Sequence, residues 1–222
     1  MKEQEKNLGI VVKNASGKKV SIIRTTRESR VHVLAEDESR RPYKIQTGNK
    51  FFNHMLTGLA SRACLNLDVS FEETDAEALD HVRTEDVGLT LGRTIREMLD
   101  ARQDKGANGR GHYVVATDEA LVGATIAFDG RAYNFFHGDI PGIRLEHAED
   151  ILSTNLKQFF EGFSQGSGSS IHLQFFSGED SHHTWEAAFK AFGEALREAL
   201  EPCPYRAVTT IGLKGTGMEG KL

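Results

Sequence analysis

Cysteine is scarce in this sequence: Cys64 and Cys203 are the only two in 222 residues. Two lone thiols cannot frame a disulfide scaffold, and they point to a reducing compartment. Long apolar runs are missing as well, so no segment is expected to span a bilayer. The first residues, Met1 to Asn7, are charged and lead into no apolar stretch, so no signal peptide is expected. Positive charge is in short supply too. Lys and Arg number 27 against 32 Asp and Glu, a net charge of -5. That balance argues against a nucleic-acid or anionic-membrane partner. With 39% hydrophobic residues there is enough apolar material for a sizeable core in one large domain or two small ones. The expectation is a soluble, cytoplasmic protein.

The hydrophobic pattern divides into strands and helices. Gly9 to Lys13, Val20 to Thr26 and Arg30 to Glu36 alternate as strands, and Val31, Val33 and Ala35 share one face. Phe51, Phe52, Met55, Leu56 and Leu59 recur at helical spacing. Leu65 to Phe71 reads as a strand, and Arg83 to about Arg102 as a helix with Val87, Leu91, Ile95 and Met98 buried. Gly88 and Gly92 lie on another face of that helix. Glycine there costs about 1 kcal/mol each, which implies a steric reason for it. Gln103 to Gly111 reads as a flexible basic connector. The second half gives strands at His112 to Ala116, Leu121 to Phe128 and Arg131 to Phe136, then a helix from Ala148 to Phe163. A strand at Ile171 to Phe175 sets His172 and Gln174 on the face opposite the apolar residues, and a last helix is stopped by Pro202 and Pro204.

That last helix opens with Ser181-His182-His183-Thr184-Trp185-Glu186. His182 and Glu186 are four residues apart and share a helix face, and imidazole with carboxylate at that spacing can bind a divalent transition metal. The same frame occurs upstream in Asp80-His81-Val82-Arg83-Thr84-Glu85. His81 to His182 and Glu85 to Glu186 are the same interval, 101 residues, which also pairs Gly92 with Gly193 and Arg96 with Arg197. The sequence thus reads as one domain over 1–222 with an internal repeat, about 17–105 and 110–205. Two strand-and-helix units in succession predict an α+β fold in which duplicated half-domains pack as a two-lobed sandwich of sheets and helices. Two other residues stay open on position alone: Glu28 reads as a solvated turn acid, and His54 as a packed helix histidine.

Several stretches, in order, resemble imidazoleglycerol-phosphate dehydratases. They are Arg24 to Ser29, Thr47-Gly48, Phe51 to Leu56, Asp80-His81 with Thr84 to Gly88, Asp118 to Leu121, Gly130 to Tyr133, Ile171 to Leu173, His182 to Ala187 and Phe189 to Phe192, within about residues 17 to 215. The resemblance implies a manganese enzyme of histidine biosynthesis that removes water from a small phosphorylated substrate. It also implies a high-symmetry homo-oligomer with metals between subunits. Carried over residue by residue, the metal ligands would be His54, His81, Glu85, His172, His182, His183 and Glu186. Glu28 would be the acid/base, and Arg110, Arg131 and Lys214 would bind the substrate phosphate. With the resemblance, His54 and His172 read as ligands.

The departures fall where the resembling chemistry is held. Val82 stands in place of a second adjacent histidine, which leaves five histidines and two glutamates. Asn53 replaces an aspartate beside His54, and Gly109-Arg110 replaces an arginine followed by an aromatic, so the phosphate arginine is shifted by one or lost. Gly212-Leu213 removes hydroxyls before Lys214. Three functions are therefore carried forward: the dehydratase itself, a paralogue acting on another substrate, and a non-catalytic protein that keeps a metal for assembly.

Overall fold

In the computed structural model of the protein, residues 8–74 and 79–212 are described. The strands of the first half are β1 (Gly9–Ala15), β2 (Lys19–Thr25), β3 (Ser29–Glu36), β4 (Lys44–Gln46) and β5 (Asn66–Glu73), with helices α1 (Lys50–Ala63) and α2 (Asp80–Asp100). The second half holds β6 (Arg110–Thr117), β7 (Ala120–Ala127), β8 (Tyr133–His137), a short α3 (Pro141–Arg144), β9 (His147–Ala148), β10 (Ile151–Leu152), α4 (Ser153–Ser167), β11 (Ser170–Ser177) and α5 (Ser181–Leu200).

Two sheets carry the fold, in the orders β1-β2-β3-β5-β4 and β6-β7-β11-β8. Leaving out β1, the two orders correspond strand for strand. In each sheet the last strand runs parallel to its neighbour, β4 to β5 and β8 to β11. Helix pairing follows the same scheme: α1 packs on α5 and α2 on α4, so each half meets the other through its helices. The four long helices fill the space between the sheets. α2 lies against β2 and β3, and α5 lies against β6 and β7.

Alternation drives the sheets into this arrangement. Val31, Val33 and Ala35 point inward from β3, and Ile171, Leu173 and Phe175 from β11. Aromatic rings fill the helical layer edge to face, with Phe163 on Phe192 at 4.9 Å and 89°. Helix α1 starts where the Asn49 side chain accepts the Phe52 amide, and it ends at Cys64 in the left-handed region at φ 55°.

The steric reason for the helix glycines is the α2–α4 crossing. A Cβ on Gly88 would lie 2.2 Å from the Phe159 carbonyl oxygen, and one on Gly92 2.2 Å from that of Phe163. Gly162 and Gly166 return the contact from α4, facing the Glu85 and Leu89 carbonyls at 2.4 and 2.1 Å. Helix propensity alone predicts that Gly88→Ala stabilises the protein by about 1 kcal/mol. Backbone cannot give way as a side chain can, so the expected outcome is the reverse. Gly88→Ala should destabilise by about 1–3 kcal/mol and lower the thermal midpoint by several degrees in a calorimetric scan. A raised midpoint would show that the helices separate at little cost.

Segments 103–111 and 147–152 differ from the sequence reading. The helix expected from Ala148 begins only at Ser153, because 147–152 folds as the β9–β10 hairpin. Ser153 closes it by donating its amide to the Glu146 carbonyl and its hydroxyl to that of Leu145. Ile151 and Leu152 satisfy a helical period and a strand equally, and the hairpin turn decides between them. Residues 103–111 are not a free connector. Asn108 and Gly109 donate their amides to Glu201 and Ala199 at the end of α5.

Candidate functional site

The strongest cluster of ligand-type side chains forms where α1 and α5 meet. Asp180 caps α5, its side chain accepting the His183 amide at 3.2 Å. The first turn then presents His182 and His183, and the second turn Glu186. Packing against α1 brings His54 opposite. His54 Nε2 lies 3.5 Å from Glu186 Oε1, and His182 Nε2 lies 3.7 Å from Glu186 Oε2. One ligand atom from each of these three residues falls within 4.8 Å of the others. Metal–ligand bonds of about 2.0–2.2 Å to imidazole and carboxylate place ligands on one ion at such separations, so this donor set fits a divalent transition metal.

Lys190, one turn further on, sets its ammonium 2.9 Å from Glu186 Oε1. Burial pushes the Glu186 carboxyl up, but Lys190, His54 and His182 together outweigh it, and the group ends below its ordinary range. Glu186 is therefore held ionised, as a ligand must be.

Two carboxylates turn the histidine rings. Glu149 Oε1 bonds His182 Nδ1 at 2.9 Å, and Glu119 Oε2 bonds His183 Nδ1 at 2.7 Å. Each carboxylate comes from a two-residue hairpin turn, Glu149-Asp150 and Asp118-Glu119, whose first residue has positive φ, 54° at Glu149 and 49° at Asp118. With Nδ1 engaged as a donor, a neutral His182 keeps on Nε2 the lone pair that a metal needs, whereas His183 Nε2 lies 3.5 Å from Asp118 Oδ2.

Glu119 is pulled down to about 2, by the Asp180 amide foremost and then by its own amide and the His183 ring. The same hydrogen bond raises His183. A lowered carboxyl contributes stability above its ordinary 4.5, and that contribution fades as pH falls toward 2. A raised imidazole contributes below its ordinary 6.5 and loses the contribution as pH rises through its folded value. The pair is therefore strongest between these limits. In urea unfolding of metal-free protein, the gap between wild type and Glu119→Gln should be widest from about pH 4.5 to 6.5 and narrow on both sides. A gap independent of pH would mean that the pair does not form.

The other residues singled out in the sequence lie elsewhere. His81 and Glu85 stand half-buried in the first two turns of α2, with Val82 buried between them. Glu28 is exposed in the β2–β3 turn. That hairpin is fastened beside them by Asp86, which ion-pairs with Arg24 at 2.6 Å and accepts the Ser29 hydroxyl. His172 points outward from β11. Arg131 is exposed, and Arg110 is engaged with Asp129 at 2.9 Å. Asn53 Oδ1 accepts the Thr47 amide and hydroxyl, so it fastens the turn before α1 and not His54. Lys214 lies outside the described residues. Among those described, no group of three ligand-type residues other than His54, His182 and Glu186 converges as closely.

Sequence reasoning missed Glu119, Glu149 and Lys190. A signal existed for Glu119. Thr26 to Glu28 and Thr117 to Glu119 are offset by the same 91 residues and end the corresponding hairpins β2–β3 and β6–β7. Glu149 gives no such signal, because only the folded β9–β10 turn brings it to His182.

Two largely antiparallel sheets enclosing four helices, with an imidazole–carboxylate cluster at a helix start, define an α+β protein with a donor set that could hold a metal ion. The chain belongs to the imidazoleglycerol-phosphate dehydratase family, whose model matches residues 47–196. It is 35% identical over 198 residues to the imidazoleglycerol-phosphate dehydratase of Microcystis aeruginosa, covering 89% of this chain and 92% of that one. It is 37% identical to that of Acidiphilium cryptum, over 88% of this chain and 96% of the relative. Crystal structures of the dehydratases from Staphylococcus aureus and Pyrococcus furiosus superpose with TM-scores of 0.70 and 0.69 at 28% and 29% identity. They cover 82% of this chain in both cases, and 98% and 94% of their own. The relatives are named as dehydratases, that is, hydro-lyases.

Proposed function

We propose that this protein is a manganese-dependent hydro-lyase that converts imidazoleglycerol phosphate to imidazoleacetol phosphate in histidine biosynthesis. The observation that carries the reading is the convergence of His54, His182 and Glu186, with both α5 histidines turned by carboxylates, in a chain of this family. Those three residues would hold one ion, and His183, His81, Glu85 and His172 would contribute from their own positions. A bound manganese ion would supply positive charge able to stabilise an anionic substrate ring. Glu28 moves the proton. Arg131, with Lys214, anchors the substrate phosphate through charge-assisted hydrogen bonds. Lys190 keeps Glu186 ionised.

The ligands fall on three separate parts of one chain, which supports sites completed between subunits of a high-symmetry homo-oligomer. Exposed Leu121, Tyr133, Phe135 and Phe176 on the second sheet and its β11–α5 edge are further support. No described helix is long and apolar enough to cross a membrane. A cytoplasmic location agrees with the scarcity of cysteine. We take the chain as a single domain of two repeated halves.

The deciding measurement is turnover of imidazoleglycerol phosphate by purified protein supplied with manganese, with metal counted per chain. Two metals and turnover support the proposal, whereas a metal-replete but inert protein sinks it. A second reading, a paralogue with another substrate, is favoured by one feature: Arg110 is bound to Asp129, so the position resembling the phosphate arginine is already occupied in a surface ion pair.

A further inference from the structure

Three of the histidines assigned as ligands have Nδ1 held by another side chain. On His182 and His183 the partner is a carboxylate. On His172 it is another imidazole: His137 Nε2 lies 2.9 Å from His172 Nδ1. His137 ends β8, which pairs with β11 in parallel and sets His137 opposite Gln174. The two rings lie parallel, 5.2 Å apart at 3°, and Phe135 stacks on both, 4.9 Å from His172 and 6.2 Å from His137. They line a cavity of about 340 Å³ with His112, Gly123, Thr125 and Gln174. His112 is itself tied to Thr125 at 2.8 Å.

We infer that His137 is a positioning residue for His172, orienting its ring so that Nε2 faces outward and accepting the Nδ1 proton when a metal takes the Nε2 lone pair. One hydrogen lies between the two facing nitrogens. If His172 Nδ1 carries it and donates to His137 Nε2, then His172 Nε2 is unprotonated and able to ligate, and the proton of His137 sits on Nδ1. Three rings held through Nδ1 by side chains of distant elements make this a shared arrangement and not one incidental contact. The His137 version differs in charge. A neutral imidazole adds no negative charge behind the ligand, as Glu119 and Glu149 do, so the metal contacted by His172 is held less tightly than a carboxylate would allow. The inference rests on the proposal that His172 is a ligand, and it adds a residue that none of the matched motifs contains.

The test uses full-length protein stripped of metal by a chelator, with Mn(II) binding measured by equilibrium dialysis and coordinated imidazole nitrogens counted by pulsed electron paramagnetic resonance. His137→Phe keeps a ring for Phe135 to stack on but removes the acceptor. It should weaken the ion that His172→Ala loses by about 10–100-fold, with the nitrogen count unchanged at saturating metal. His137→Glu, whose carboxylate reaches about as far as the imidazole Nε2, should restore or exceed wild-type affinity. If His137→Phe binds like wild type while His172→Ala loses metal, the inference fails and the ligand assignment stands. If His137→Phe loses one coordinated nitrogen, His137 is itself a ligand and the positioning role is overturned. A His172→Ala protein that binds like wild type, or a wild type that binds no Mn(II), overturns both.

Discussion

Glu28→Gln is expected to lower turnover of imidazoleglycerol phosphate by about 10²–10⁴-fold, the usual contribution of a positioned acid or base. The substitution is close to isosteric and removes only the ability to ionise. The fold should not notice it. Glu28 is exposed, and what the structure uses is its backbone: its amide donates to the Thr26 hydroxyl and its carbonyl accepts the Thr74 amide. Exposed changes of this kind usually stay within about 0.5 kcal/mol. Thermal midpoint and oligomer size should therefore match wild type while the rate constant at saturating manganese and substrate collapses. Turnover within about tenfold of wild type would remove Glu28 from the chemistry.

Glu186→Gln should have the largest effect on metal binding. Glu186 is the one carboxylate in the converging trio, and both histidines reach it within 3.7 Å. Glutamine keeps the shape and one carbonyl oxygen but brings no negative charge, and it leaves the Lys190 ammonium without its ionised partner. Loss of an outer partner costs 10–100-fold in affinity, so loss of this ligand should cost more than about 100-fold. Dialysis against Mn(II) would measure this directly. So would the rise of the thermal midpoint with added manganese, which reports binding to the folded state by mass action. That rise should be present in wild type and nearly absent in the variant. An equal rise in both would place the ion elsewhere.

Much of the fold was readable because sheets and helices write different periods. Val31, Val33 and Ala35 at spacing two, and Phe51, Met55 and Leu59 at four, reach the described structure as an inward strand face and a buried helix stripe. The reading failed where a pattern satisfied both periods, as at Ile151-Leu152, and where a strand was too short to show one, as at Lys44–Gln46. Of the cluster, His182 and Glu186 were legible together, since helical geometry alone puts residues four apart on one face.

His54 belongs to the cluster only because α1 packs on α5, a contact between residues more than a hundred positions apart. Glu149 and Glu119 reach their histidines across 33 and 64 residues, from hairpin turns whose placement depends on which strands pair. By itself the sequence determined the element types, the interval of 101 residues between the two motifs, and the donor chemistry available. Tertiary structure alone decided which donors meet and which ring nitrogen faces outward. Local periodicity is a property of neighbouring residues, whereas ring orientation depends on a hydrogen bond that exists only once distant turns have been brought together.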